Sequence, residues 1–353
     1  MGKLNGNIRK VLLIRRKALG DCLVTLPAVR ELAAALPQAQ LDLVVDGPFA
    51  NLISLLVPDV RVIPWVPGRN AVWDRSSWYR KLCSEGYDLV IDWLGNPRTA
   101  LWTAATGAPL RVGYDLPRRR WAYNIAVPQN RLGSTRLRGF AGEAFLDPLR
   151  ALGLNPEPWS PGTPEGMKPV IPEPFLGAGY CRWRDSWLGT GKPPVALMMS
   201  ATWPAKAWPN RNIVELWRKL KDEGLNPLII PGPGDEEMEK ILREDLPPET
   251  FAPATSLIEL AELLKHCSAF AGTDCGGRHL AAALGLPTIT VFGPTDSEGW
   301  NPNHPHHVAI KTNVECLGCE LKICPLPGHP CLDNLPASAV VAGVRKVLNN
   351  TRK

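Results

Sequence analysis

The sequence predicts an α/β protein of two domains, each built on a parallel sheet, and three observations point that way. Short apolar runs alternate with segments of helical periodicity almost from end to end, the pattern of successive βαβ units. At 353 residues the chain is longer than one hydrophobic core usually organises, so about two domains are expected. The alternation breaks once, at residues 153–174 (GLNPEPWSPGTPEGMKPVIPEP). That stretch holds too many prolines and glycines for regular structure and reads as an interdomain connection. The expected divisions are a first domain over 1–165, a second over 175–335 and a closing helix over 336–353. The two sheets are expected to face a cleft.

Residues 10–14 (KVLLI) read as the first strand. ALGDCLVTLPAVRELAAALP follows, with Leu23, Leu26, Val29, Leu32 and Leu36 at helical spacing, Gly20 as the turn and Pro37 as the stop. A strand over 41–45 closes the first βαβ unit. Beyond it the sequence predicts a helix over 49–56, extended chain over 61–64, a helix over 77–85 and a buried strand over 88–92. A helix within 93–105, an extended segment over 111–114, an arginine-rich loop and a helix near 142–152 complete the first half. The second half reads as helix 180–188, strand 195–199, helix 212–223, strand 227–230 and helices 235–244 and 257–266. Residues 271–296, AGTDCGGRHLAAALGLPTITVFGPTD, then run strand, glycine turn, small-residue helix, strand. Val340, Val341, Val344, Val347 and Leu348 share one stripe of the last helix.

Hydrophobic content of 45% and charged content of 21% describe an ordinary globular chain. No apolar run approaches the roughly 18–20 residues that cross a bilayer, and the N-terminal apolar stretch is cut short by Arg15, Arg16 and Lys17. It reads as a strand, not a signal peptide, so a cytoplasmic location is expected. The net charge of +6 is modest but uneven: Arg111, Arg118, Arg119, Arg120, Arg131, Arg136 and Arg138 crowd one segment against Asp115 alone. Such a face suits a polyanion or an anionic membrane surface, or is simply a solvated loop. The 13 tryptophans are dispersed, without the arrangement of a base-stacking module, and no nucleic-acid partner is expected.

Four stretches at predicted strand ends can carry chemistry, because ligands of parallel sheets sit beyond the carboxyl ends of the strands. In Ala18-Leu-Gly-Asp21 the carboxylate of Asp21 can take a proton from a substrate hydroxyl, or can merely cap a helix. In the segment from Ser200 to Pro209, Ser200 and Thr202 can bond phosphate oxygens and Lys206 can neutralise a diphosphate. Trp203 and Trp208 can pack over a base or sugar, or can be buried packing. Asp235, followed by Glu236, can take ribose hydroxyls or complement a helix dipole. In the last stretch Asp274 can hold sugar hydroxyls, and the amides of Gly276 and Gly277, helped by Arg278 and His279, can bind phosphate. Neither half carries GxGxxG, which argues against a nicotinamide oxidoreductase.

In order and spacing, VLLIRRKALGDCLVTLPAVRELAAALPQAQLDLVV, KAWPNRNIVEL, GTDCGGRHLAAALGLPTITVFGPTD and the shorter RVGYD resemble the bacterial ADP-heptose:lipopolysaccharide heptosyltransferases, glycosyltransferase family 9. The resemblance implies a GT-B architecture of two Rossmann-like domains, in which the C-terminal helix often returns to the N-terminal domain. It implies inverting glycosyl transfer from an ADP-activated heptose or related sugar to a hydroxyl of the lipopolysaccharide inner core. The ADP-sugar is co-substrate, with no cofactor and no catalytic metal. By the same resemblance Asp21 is the general base and Lys206 stabilises the leaving diphosphate. Asp274 and His279 match the family's donor-site D-x-x-x-x-H, and Thr202 is a phosphate contact. No acid matches its ribose-binding residue cleanly, and Asp235 is chosen over Glu236; Ser200, Gly276 and Gly277 join the donor site from the reading of the residues. Arg118, Arg119 and Arg120 suit a phosphorylated, lipid A-anchored acceptor, and the enzyme would work peripherally at the inner leaflet. Arg278 departs from the family's usual neutral residue before the histidine. A nucleotide-sugar epimerase or hydrolase and a non-catalytic nucleotide-sugar binder are the competing readings.

Nine cysteines are many. Cys22, Cys83, Cys181, Cys267 and Cys275 lie singly in periodic segments, as buried small hydrophobes do. Cys316, Cys319, Cys324 and Cys331 follow C-x2-C-x4-C-x6-C. Only the first pair has a usual zinc spacing, so free or disulfide-capable thiols are favoured over a structural zinc.

Overall fold

A computed structural model describes residues 8–66, 71–129, 131, 132, 136, 137, 139–157, 167, 169–188, 191–199 and 202–350. For 71–75, 131, 132, 136, 137 and 188 the description covers the backbone alone. Ser200, Arg138 and much of the 153–174 connection lie outside the described residues. The chain divides into two compact units, Met1–Arg131 with Ala141–Trp159, and Leu132–Phe140 with Ser160–Lys353.

The first unit runs β1 (Lys10–Ile14), α1 (Leu19–Ala35), β2 (Gln40–Asp46), α2 (Gly47–Leu56), β3 (Arg61–Trp65), α3 (Ala71–Ser84), β4 (Leu89–Asp92), α4 (Pro97–Ala105), β5 (Leu110–Tyr114) and β6 (Ile125–Val127). Its six strands are ordered β3-β2-β1-β4-β5-β6 and each neighbouring pair is parallel. Two-residue strands β7 (Arg131–Leu132) and β8 (Arg136–Leu137) form a small ribbon in the segment where the chain joins the second unit, and α5 (Ala141–Ala144) and α6 (Asp147–Ala151) follow in the first. The helix expected near 142–152 is thus two short ones, with Pro148 in the first turn of the second. The arginine-rich loop holds a 3-10 turn, Arg120–Ala122, as well as the edge strand β6.

The strands of this sheet carry continuous apolar runs because both faces are covered; Val11, Leu12, Leu13 and Ile14 are wholly buried. On one face Trp65, Trp78 and Trp102 meet with ring centroids 4.6–5.3 Å apart. Arg16 lies 5.4 Å over two of them. Near the amino end of β2 the buried Asp42 accepts from Tyr87 Oη (2.8 Å), Arg61 Nε (2.7 Å) and Gln40 Nε2 (3.0 Å). Burial alone would raise its pKa, but these donors outweigh it and hold the carboxyl below the usual range. A charge so placed is architectural, since ligands bind at the other end of such sheets.

The second unit runs α7 (Ala178–Leu188), β9 (Val195–Met198), α8 (Asn210–Asp222), β10 (Pro227–Ile229), α9 (Glu236–Asp245), α10 (Leu257–Lys265), β11 (Ala269–Thr273), α11 (Gly276–Ala283), β12 (Thr288–Val291), α12 (Ser297–Trp300), β13 (His307–Ile310), α13 (Pro330–Asp333) and α14 (Ala337–Asn350). Its sheet is parallel in the order β10-β9-β11-β12-β13. The unforeseen β13 is a half-exposed edge strand whose HVAI alternates too little to stand out. The C-terminal helix, expected to return to the first domain, is grouped with the second unit instead. Val340, Val344 and Val347 are wholly buried in the second unit's core, and α14 packs on α8 and on β11 to β13. Its single apolar stripe is used up covering its own sheet.

Glycine is obligatory where β11 passes β9. A Cβ on Gly272 would stand 2.1 Å from the carbonyl oxygen of Met198, and backbone cannot yield as a side-chain tip can. Gly272→Ala is therefore expected to destabilise by about 1–3 kcal/mol. Urea unfolding should show a lower Cm at unchanged m; an unchanged Cm contradicts the packing described.

Candidate active site

In the second sheet the chain leaves β9 toward β10 and returns across it to β11, so strand order reverses between β9 and β11. Loops leaving the carboxyl ends of these two strands diverge, which makes the crevice where ligands of doubly wound sheets bind. Lys206 closes a 3-10 turn, Pro204–Lys206, in the loop after β9, and Asp274 follows β11 directly. They meet: Lys206 Nζ donates to the Asp274 main-chain oxygen and to Oδ2, both at 3.1 Å. Trp203 lies under the ammonium, 4.6 Å from Nζ to the ring centroid, a placement that favours a cation.

The other carboxylate oxygen faces α11. Arg278, with no exposed surface, donates from Nη2 to Asp274 Oδ1 and to the Trp300 carbonyl, both at 2.8 Å. His279 brings Nε2 within 3.6 Å of the same Oδ1 and 3.2 Å of Arg278 Nη2, and its ring meets Trp300 edge-on. Burial pushes Asp274 toward the neutral form, but the hydrogen bond from His279 and the charges of Lys206 and Arg278 outweigh it and hold the carboxyl well below 3.8. Lys206 and Arg278 thus hold the carboxylate from both of its oxygens at the switch point, and of the two cations Lys206 is the one with exposed surface. No side chain caps the first turn of α11. A Cβ on Gly277 would meet Met198 Sδ at 2.2 Å, so a larger residue there would have to displace that side chain. Gly276 opens the helix.

The remaining donor-side candidates are placed differently. Thr202 is exposed on the loop after β9, and Ser200 lies outside the described residues. Trp208 is buried and donates from Nε1 to the Leu335 carbonyl at 3.2 Å, so it packs α14's approach and offers no face to a ligand. Asp235 is buried at the start of α9 and accepts from Gly232 N at 2.7 Å, closing its own loop, whereas Glu236 is exposed. Glu320, which nothing in the sequence singles out, accepts from Asp296 N at 3.1 Å. Burial raises its pKa, Lys206 lowers it, and Asp274 and Asp296 raise it. The cysteine-rich loop thus reaches the Lys206–Asp274 pair.

The first unit has its own switch point, between β1 and β4. Asp21 stands in the first turn of α1 with about a quarter of its side chain exposed. One oxygen pairs with Arg15 and the other accepts from Ala18 N at 3.0 Å, so it is both a cap and a partly open carboxylate. Arg15 also donates to the Trp93 carbonyl at 2.7 Å, just past β4. Asp92, missed by sequence reasoning, ends β4 fully buried and accepts from Leu94 N, Gly95 N and Tyr123 Oη at 2.8–3.0 Å. Burial nevertheless raises its pKa. Gly113 of RVGYD makes this possible: a Cβ there would stand 2.3 Å from the Tyr123 ring. Of the arginines, Arg120 pairs with Asp115 at 3.1 Å, while Arg118 and Arg119 line a groove with Trp121.

All nine cysteines are free, and of the five solitary ones only Cys22 is fully buried while Cys83 is exposed, contrary to expectation. Burial and the neighbouring Cys316, Cys324 and Cys319 push the Cys331 thiol up to about 11. No group of three or more His, Cys, Asp or Glu among the described residues is arranged to hold a metal.

Comparison with known proteins bears on what this site is. A family model, Glycosyltransferase family 9 (heptosyltransferase), matches residues 178–329. Lipopolysaccharide heptosyltransferase 1 of Pseudomonas aeruginosa is 29% identical, over 89% of this chain and 87% of its own. Its namesake from Salmonella typhimurium is 30% identical, over 81% and 89%. The Escherichia coli heptosyltransferase WaaC solved with ADP-2-deoxy-2-fluoro heptose superposes with a TM-score of 0.67 at 25% identity, covering 96% of this chain and 99% of that one. A glycosyl transferase family 9 structure from Veillonella parvula gives 0.76 at 18% identity, over 98% and 100%, a likeness of fold.

The geometry predicts strong coupling between Asp274 and Arg278. Removing Asp274 strands the buried Arg278 guanidinium, so Asp274→Asn is expected to cost about 3–5 kcal/mol at neutral pH, and Arg278→Met, which leaves Lys206 on the carboxylate, less. The double variant with Asp274→Asn should cost less than the sum of the singles. Because the folded pKa of Asp274 is depressed, its contribution is complete above 3.8 and is lost as pH falls through the lower folded value. Denaturant unfolding of the four proteins measures the coupling; additivity at neutral pH contradicts it.

Proposed function

The chain belongs to glycosyltransferase family 9, and from that premise we propose that it moves a heptose from ADP-heptose to a hydroxyl of the lipopolysaccharide inner core, with inversion. The observation that carries the reading is the buried Lys206–Asp274–Arg278 cluster at the switch point of the second sheet. A diphosphate leaving group gains charge as the glycosidic C–O bond breaks, and a fixed ammonium beside it lowers the barrier. Lys206 is assigned to that diphosphate, releasing Asp274 Oδ2 to the sugar hydroxyls while Arg278 keeps Oδ1. His279 supports the same carboxylate. The amides of Gly276 and Gly277 and the Thr202 hydroxyl are assigned to phosphate oxygens, as is Ser200, and Asp235 to the ribose.

Asp21 is assigned the acceptor proton. The acceptor oxygen bonds to the anomeric carbon, its proton passes to the carboxylate, and ADP leaves with the electron pair of the broken bond. Arg118, Arg119 and Arg120 are assigned to acidic groups of the acceptor. No metal enters this scheme, because the cations of the site perform the charge neutralisation. No helix among the described residues is long and apolar enough to cross a membrane, and the enzyme is proposed to work peripherally, on the cytoplasmic side, where the nucleotide donor is made.

Steady-state kinetics with ADP-heptose and a delipidated inner-core acceptor test the roles. Lys206→Met is expected to lower kcat/KM by about 100- to 1,000-fold. Asp21→Asn is expected to lower kcat by roughly 100-fold or more with donor KM little changed. Full activity in Asp21→Asn contradicts the base, and donor consumption without acceptor favours a hydrolase or epimerase.

A further inference from the structure

In the first unit, α4 and the turn Arg120–Ala122 enclose a groove of about 390 Å³. Pro97, Leu101, Pro117, Trp121, Arg118 and Arg119 line it. Two large apolar side chains here face solvent: Trp121 is 60% exposed and Leu101 47%. The Trp121 indole donates from Nε1 to the Arg118 carbonyl at 3.0 Å. Its polar edge is thereby satisfied and the rest of the ring is an unpartnered apolar face. Arg118 holds a left-handed backbone, φ 65°, which a non-glycine residue keeps only where its surroundings demand it.

The charge around this groove is one-sided. Arg120 has Asp115 as its partner, but the side chains of Arg98, on the first turn of α4, and of Arg118 and Arg119 have no ion pair among the described residues. An apolar wedge flanked by unneutralised arginines matches a surface that is hydrocarbon inside and anionic outside. A folded protein partner would offer carboxylates on a shaped surface; nothing about two exposed apolar side chains beside three arginines demands a shaped one.

We propose that this groove docks the protein on an anionic lipid bilayer. Trp121 and Leu101 enter the boundary between headgroups and acyl chains, and Arg98, Arg118 and Arg119 meet the phosphates of that surface, those of the anchored acceptor among them. This deepens the reading of a membrane-anchored acceptor by naming the lipid surface itself as partner, and it rests on that reading only for its purpose, not for its chemistry.

The test is co-sedimentation of the full chain with phosphatidylcholine vesicles and with vesicles in which about one lipid in three is phosphatidylglycerol. Each arginine near such a surface is worth about 1 kcal/mol, or roughly five-fold. Arg118→Gln with Arg119→Gln should therefore weaken binding about 25-fold, and salt should weaken the parent. Leu101→Ser with Trp121→Ser should also lose most vesicle binding while its melting temperature and its transfer to a delipidated acceptor stay at parental levels. Bromine-labelled acyl chains should quench tryptophan emission in the parent more than in Trp121→Phe. Equal binding to the two vesicle types, parental binding by Leu101→Ser/Trp121→Ser, or equal quenching in Trp121→Phe would overturn the proposal. So would occupation of the groove by inorganic phosphate with no vesicle binding. A parent that transfers heptose but binds neither vesicle type refutes the docking surface alone; vesicle binding by a parent that transfers no heptose refutes the function alone.

Discussion

Everything proposed for the second half of this protein depends on one buried carboxylate. Asp274 sits where strand order reverses, and it ties together segments that are remote in sequence: the loop after β9 through Lys206, the start of α11 through Arg278, and α12 through the Trp300 carbonyl that Arg278 also holds. Desolvation would normally drive such a group to its neutral form. It stays ionised because a histidine and two cations surround it. The arrangement is costly to break at one partner, and in the proposed scheme Lys206 exchanges Asp274 for the donor's diphosphate while Arg278 keeps the carboxylate satisfied.

The two sheets distribute charge by the same rule. Carboxylates near the amino ends of strands, such as Asp42, are fully engaged with neighbours from their own unit and hold strands and loops together. Those at carboxyl ends are either partly open, as Asp21 is, or held by a cation on each oxygen, as Asp274 is. Asp92 is the exception. It is buried at a carboxyl end and engaged by two amides and a tyrosine hydroxyl, so it supports the loop leading into α4 and is not available to substrate.

Much of this was legible in the sequence because it is local. β1, α1, β9, β11 and α11 lie within a few residues of where apolar periodicity and glycine turns put them, and the acid–glycine–glycine–histidine order falls at the carboxyl end of β11, where the pattern placed it. What was not legible depends on contacts between distant residues. Nothing in SAVVAGVRKVL says which sheet its stripe covers, and α14 covers its own. Nothing around Glu320 predicts that a cysteine-rich loop returns to Asp296 and the charge of Lys206. RVGYD reads as a motif without a reason until Tyr123 is seen crossing the bare Gly113 to reach Asp92. Short edge strands such as β6 and β13 are too brief and too mixed in polarity for periodicity to register.

The central claim is that Lys206, drawn from Asp274, receives the donor's diphosphate, and calorimetric titration with ADP tests it most directly. The parent and Asp21→Asn should bind ADP with similar affinity, Lys206→Met should bind it at least tenfold more weakly, and UDP should bind weakly to all three. ADP affinity unchanged in Lys206→Met, or lost in Asp21→Asn instead, would contradict the account.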